Sequence, residues 1–241
     1  MPIRAQKSMG MKLCVPESVS GGIFLSHKCS RKCRHCMCAC SPRWKADWIP
    51  EKDLEGILTQ LSERIQPSPL GPNTVGINYG LHFTGGEPFL NSDLLLKAIE
   101  IAREFGITST FVETNSFWCT DDRATIEKLT RLKDSGLNGI VISVNLFILE
   151  QGPYERRARA IRISRRVFKE NVMVYQEIFC NQFEQLNIQS TLLFEEYLRR
   201  IGHSGLSLVE LLTMGRAAYK LGHLYKNIPP NSSSTSPAGE I

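Results

Sequence analysis

Short apolar runs alternate with helix-periodic stretches along most of this chain. That alternation limits the fold more than any other feature. The runs fall at residues 23–26, 80–84, 108–113, 139–144, 172–175 and 206–211. Between them, residues 50–65 place Leu54, Ile57, Leu58, Leu61 and Ile65 on one helical face. Asn91 or Ser92 caps a second helix that runs to Phe105 and stops at Gly106. A third helix starts at Thr120 or Asp121 and ends near Ser135–Gly136, a fourth spans 154–170, and a fifth spans 190–200 before Gly202. Repeated strand–helix units require parallel strands, because each crossover returns over the sheet face. The run at 139–144 is apolar throughout, as expected of a strand covered on both sides. An α/β fold with parallel strands is therefore expected.

With 241 residues the chain is long enough for one domain with a full core. The expected organisation is an N-terminal extension at 1–19, a core domain at 20–227 and a disordered Pro- and Ser-rich tail at 228–241. No apolar run approaches the length of a membrane span, and the first residues lack the apolar stretch of a signal peptide. The eight cysteines then read as reduced cytoplasmic thiols and metal ligands rather than a disulfide framework. A net charge of +5 is weak evidence for an anionic partner. The basic residues concentrate in the 154–170 helix, where Arg159, Arg162, Arg165, Arg166 and Lys169 share a side. No aromatic residues alternate with them, so the segment reads as the solvated face of a helix rather than a nucleic-acid surface.

The chemistry concentrates at Cys29, Cys33 and Cys36, spaced C-x3-C-x2-C directly after the first strand signal. A 4Fe-4S cube held by protein alone takes four cysteines, so three in one tight loop leave one iron open. The competing reading is a zinc knuckle, with His27, His35, Cys38 or Cys40 completing four ligands. Further motifs end the later strands: Gly85-Gly86-Glu87-Pro88, Glu113-Thr114-Asn115, Ser143-Val144-Asn145 and Met214-Gly215-Arg216-Ala217.

Taken in this order, the cysteine loop and the four later motifs resemble the radical S-adenosylmethionine (radical SAM) superfamily over about residues 20–218. The resemblance implies a partial (β/α)6 TIM-type barrel with its chemistry at the C-terminal strand ends. It implies a 4Fe-4S cluster on Cys29, Cys33 and Cys36, with S-adenosyl-L-methionine on the open iron. Reductive cleavage would then give a 5′-deoxyadenosyl radical that abstracts hydrogen from a substrate. His35 takes the position that lies near the adenine. Gly85, Gly86 and Glu87 take the motif that receives the methionine amino group, with Glu87 offering charge to the ammonium. Asn115, Ser143 and Asn145 take the polar positions for ribose or carboxylate, and Gly215 the backbone near the adenine. Asn145 departs from the acid usual at its position, which keeps hydrogen bonding and loses charge.

The implied partners are a low-potential electron donor, ferredoxin or flavodoxin, and a substrate for which peptide or protein is favoured over small molecule or RNA. No C-terminal auxiliary-cluster (SPASM-type) cysteines follow Cys180. Cys38 and Cys40 read as buried small side chains ahead of a second metal site with Cys14, Cys119 or Cys180. Tyr79, His82 and Cys119, near strand ends, read as structural. The alternative function is a zinc-binding interaction module that uses the cysteine loop and the basic helix to hold an anionic partner.

Overall fold

The computed structural model describes residues 20–202 and 211–224. Five strands form one sheet: β1 Ser20–Phe24, β2 Gly80–Thr84, β3 Phe111–Thr114, β4 Gly139–Ser143 and β5 Val172–Tyr175. Their order is β1-β2-β3-β4-β5, and every pairing is parallel. Right-handed crossovers that always step the same way put all connecting helices on one face. A doubly wound sheet would need a reversal in strand order, and none occurs among these strands. The outcome is a partial α/β barrel. The sixth strand signal, at 206–211, lies almost wholly outside the described residues.

The helices are α1 Glu51–Ser62, α2 Ser92–Glu104, α3 Asp122–Asp134, α4 Leu146–Leu149, α5 Tyr154–Phe168, α6 Ile178–Gln185, α7 Phe194–Ile201 and α8 Gly215–Leu221. Asn91 Oδ1 accepts from the Leu94 N–H at 3.1 Å and Asp121 Oδ1 from the Ala124 N–H at 2.9 Å, so both expected caps form. Between sheet and helices, Leu81, Phe83, Val112, Ile140 and Ile142 are completely buried with Leu54, Leu58, Leu95 and Ala98. Truncating Phe83 to alanine there would cost about 3–5 kcal/mol.

Three helices were not expected: α4, α6 and α8. The α4 turn follows β4 at once and is capped by Asn145, while α6 buries Phe179, Cys180 and Phe183. The basic helix α5 packs on α3, where Asp122 meets Arg159 at 3.1 Å and Arg162 at 2.8 Å. Its basic residues do not all face water, because Arg157 is 1% exposed. Among the described residues no helix is long and apolar enough to cross a membrane.

Candidate active site

The cysteine loop leaves β1 and folds on its own backbone. Cys36 N–H donates to the Cys33 carbonyl at 3.3 Å, Ala39 N–H to Cys36 at 3.2 Å, and Cys29 N–H to Ser41 at 3.3 Å. Ala39 takes a left-handed φ of 52° where the loop turns back. The end of β2 then seats against it. Gly86 N–H donates to the Ser26 carbonyl at 2.8 Å and Glu87 N–H to Lys28 at 3.0 Å. A Cβ on Gly86 would lie 1.9 Å from the Lys28 carbonyl oxygen. At Gly85, where φ is +116°, it would lie 2.4 Å from that of Ser26. The two glycines are thus demanded first by the chain's own backbone, and only then by anything bound above them.

A cavity of about 350 Å³ opens at the C-terminal ends of the strands. Cys29, Cys33, Cys36 and His35 line it together with Gly85, Gly86, Asn115 and Ser143, which come from the ends of β2, β3 and β4. The lining therefore includes every cysteine of the triplet. Glu87, Asn145 and Gly215 stand behind the surface. Glu87 is 1% exposed, and its carboxylate accepts from Asn115 N–H at 2.8 Å, Thr114 Oγ1 at 2.9 Å and Phe89 N–H at 3.3 Å. Burial pushes its pKa up to about 7, against these hydrogen bonds. That side chain braces the β2–β3 ends instead of facing the cavity. Asn145 Oδ1 caps α4 through the Phe147 and Ile148 N–H groups, both at 3.0 Å. Its Nδ2 is 3.1 Å from His35 Nε2, so the amide orients the ring. His35 stacks on Phe147 at 5.5 Å, and its Nδ1 is buried without a partner. Burial holds its pKa down at about 4, with Arg216 adding to the effect.

Gly215 lies against the cysteine loop, where a Cβ would sit 2.1 Å from the Met37 carbonyl oxygen. Beside it, Arg216 gathers the loop. Nη1 donates to the Cys33 carbonyl at 2.8 Å, and Nη2 to those of Ala39 at 2.7 Å and Cys40 at 2.6 Å. The backbone N–H of Arg216 adds a bond to Cys36 at 2.9 Å.

Burial and hydrogen bonding act on the three sulfurs in opposite directions. Burial raises Cys29 to about 11 and Cys33 to about 12. A hydrogen bond from Cys40 pulls Cys36 down to about 6. Asn115 Nδ2 reaches Cys29 Sγ at 3.6 Å and Arg31 N–H reaches it at 3.4 Å, as donors to a thiolate would. Among the described residues no three His, Cys, Asp or Glu side chains converge on one metal ion. The donor set, its shared cavity and the orphaned His35 Nδ1 fit an iron–sulfur cluster with a polar cosubstrate beside it.

Cys38 and Cys40 also line the cavity, and Cys40 Sγ is 3.8 Å from His27 Nδ1. Cys119 and Cys180 are buried in the core, and Cys14 lies outside the described residues. Two other features of the cavity are a polar pair between Glu113, of the Glu113-Thr114-Asn115 motif, and His82, read as structural from the sequence, and a cation the sequence did not single out. Glu113 accepts from Thr84 Oγ1 at 2.6 Å and lies 3.6 Å from His82 Nε2, and His82 fits only because β1 has a glycine, Gly22, opposite it. Arg31 also lines the cavity. The glycine before an apolar strand was the visible signal for the first; the second had none.

Among known proteins, the family described as the Radical SAM superfamily matches residues 23–181. No curated protein matches the chain. Solved structures described as native anSMEcpe with bound AdoMet, and the same protein with AdoMet and the Cp18Cys peptide, match at 13% and 14% identity with TM-scores of 0.45 and 0.43. They cover 70% and 76% of this chain and 49% and 48% of theirs. BtrN in complex with AdoMet and 2-DOIA matches at 16% identity and a TM-score of 0.39, over 70% of this chain and 64% of its own. The chain thus spans about half to two thirds of the length of these structures.

Proposed function

Because this chain belongs to the Radical SAM superfamily, we propose that it is an enzyme in which Cys29, Cys33 and Cys36 hold a 4Fe-4S cluster and the cavity beside them takes S-adenosylmethionine. When bound, this pair supplies a one-electron reductive cleavage that yields a 5′-deoxyadenosyl radical for hydrogen abstraction. The observation that carries the reading is the shared cavity: all three loop cysteines line one cavity at the strand ends together with Gly85, Gly86, Asn115 and Ser143.

The chain's own groups then have distinct tasks. Asn115 and the Arg31 N–H donate to the Cys29 sulfur and would support it as a cluster ligand. Ser143 and the backbone of Gly85–Gly86 offer polar groups to the cosubstrate. His35, flat against Phe147 and fixed by Asn145, provides an aromatic surface with one free ring nitrogen. Met37, Ile148 and Leu212 keep water from the reacting groups. Ferredoxin or flavodoxin would supply the electron, and the proposed substrate is a peptide or protein ahead of a small molecule or RNA.

The test is 5′-deoxyadenosine formation by anaerobically reconstituted, dithionite-reduced protein supplied with S-adenosylmethionine. Formation above that of the Cys29→Ala/Cys33→Ala/Cys36→Ala variant is expected. Equal rates would remove the proposal.

A further inference from the structure

Two buried guanidinium groups stand at the cysteine loop, and among the described residues neither has a carboxylate partner. Arg31, between Cys29 and Cys33 in the loop, is 9% exposed and lines the cavity. Its Nε is buried without an acceptor. Among the described residues no carboxylate lies within 4 Å of it. The guanidinium fits only because residue 152 is glycine, since a Cβ there would be 1.9 Å from Nη1. Arg157, 1% exposed, comes up from α5. It donates to the neutral carbonyls of Gly152 at 2.9 Å, Pro153 at 3.1 Å and Ile148 at 2.9 Å, and its Nε also lacks an acceptor.

A buried ion without a partner is strongly unfavourable, and two cations in range of each other are worse. Something anionic has to offset them. Arg31 is two residues from both Cys29 and Cys33 and lines the same cavity as these and Cys36, and Cys33 is the foremost group favouring the charged form of both arginines. Glu87 also acts on Arg31, but its oxygens are already engaged by Asn115, Thr114 and Phe89. The offset therefore falls at the cysteine loop.

We propose that Arg31, backed by Arg157, is the counter-cation of the cluster held by Cys29, Cys33 and Cys36, a positioning residue whose charge retains the thiolate-bound group and raises its reduction potential. This rests on the function proposed above. The electron balance is simple. One electron arrives from the external donor, no bond forms or breaks, and a fixed cation favours the more negative of the two states.

The experiment is an EPR-monitored redox titration of anaerobically reconstituted wild type, Arg31→Gln and Arg31→Lys without S-adenosylmethionine, with iron and sulfide measured in each. In R31Q the reduced-to-oxidised ratio at a fixed potential should fall about tenfold, a midpoint more negative by about 59 mV. R31K should recover at least half of that shift. Equal midpoints for wild type and R31Q overturn the proposal, and so does an R31K that matches a shifted R31Q. An unchanged midpoint accompanied by weaker S-adenosylmethionine binding also overturns it, because the charge would then serve the cosubstrate. If R31Q takes up no cluster, R31K decides: wild-type loading supports a need for charge, and no loading assigns the defect to shape and overturns the proposal. A wild type that takes up no iron and sulfide defeats the functional reading itself, and the inference with it.

Discussion

Replacing Arg216 with alanine should loosen the cysteine loop more than any other single truncation outside it. The guanidinium donates to the carbonyls of Cys33, Ala39 and Cys40 at 2.6–2.8 Å. Hydrogen bonds from a charged donor contribute about 1.5–3 kcal/mol each, and water recovers part of this at a half-buried site. A net loss of about 2–4 kcal/mol follows, roughly 30- to 1,000-fold in the ratio of ordered to disordered loop. The assay pairs urea unfolding with iron and sulfide content after anaerobic gel filtration. Arg216→Ala should unfold earlier and lose most of its iron. Arg216→Lys should recover less than half of the loss, because one ammonium cannot serve three carbonyls as a planar fork does. An Arg216→Ala protein within about 0.5 kcal/mol of wild type, a change typical of neutral surface sites, and retaining its iron would refute this account of the loop.

Two further predictions concern the β2 end. Glu87 is raised from 4.5 to about 7 by burial, so the folded protein binds its proton more tightly than the unfolded chain. Its contribution is most favourable below about pH 4.5 and is lost as pH rises through 7. Chemical denaturation of Glu87→Gln against wild type should show wild type losing about 3 kcal/mol more across that window, from 1.36 kcal/mol per unit; parallel pH curves would count against it. Gly86→Ala should destabilise by about 2–3 kcal/mol, because its new methyl group meets backbone at 1.9 Å. Gly56→Ala, with nothing within 4 Å on α1, should instead stabilise by about 0.5–1 kcal/mol, and equal effects in thermal melts would contradict the packing described.

The layout of the sheet was legible because buried parallel strands are apolar along their whole length. Residues 172–175 have the expected bounds, and 139–144 differs by one residue. β1 lies at 20–24 rather than 23–26, because Ser20-Gly21-Gly22 carries no strand signal and Gly22 is there to clear the His82 ring. β3 starts late because Thr110 N–H is taken by Asn138 Oδ1 at 2.9 Å and Ser109 has a left-handed φ of 55°. The α6 helix has no capping side chain and follows β5 after only two residues, with no turn signal to separate them. Arg157 shares a helical face with Tyr154, Ile161 and Ser164, but its charge class outweighed its position. In the site, the C-x3-C-x2-C spacing picked out three cysteines that line one cavity. What spacing could not reveal was where Glu87, Asn145 and Arg216 spend their hydrogen bonds, because their partners are set by strand register and by contacts far apart in sequence.

The Arg216–Cys33 bond joins positions 183 residues apart. During synthesis the cysteine loop leaves the ribosome long before the arginine that gathers it. A nascent chain therefore carries these thiols unfastened until Arg216 has been translated. Delivery of the proposed cluster to a fastened loop has to follow that point.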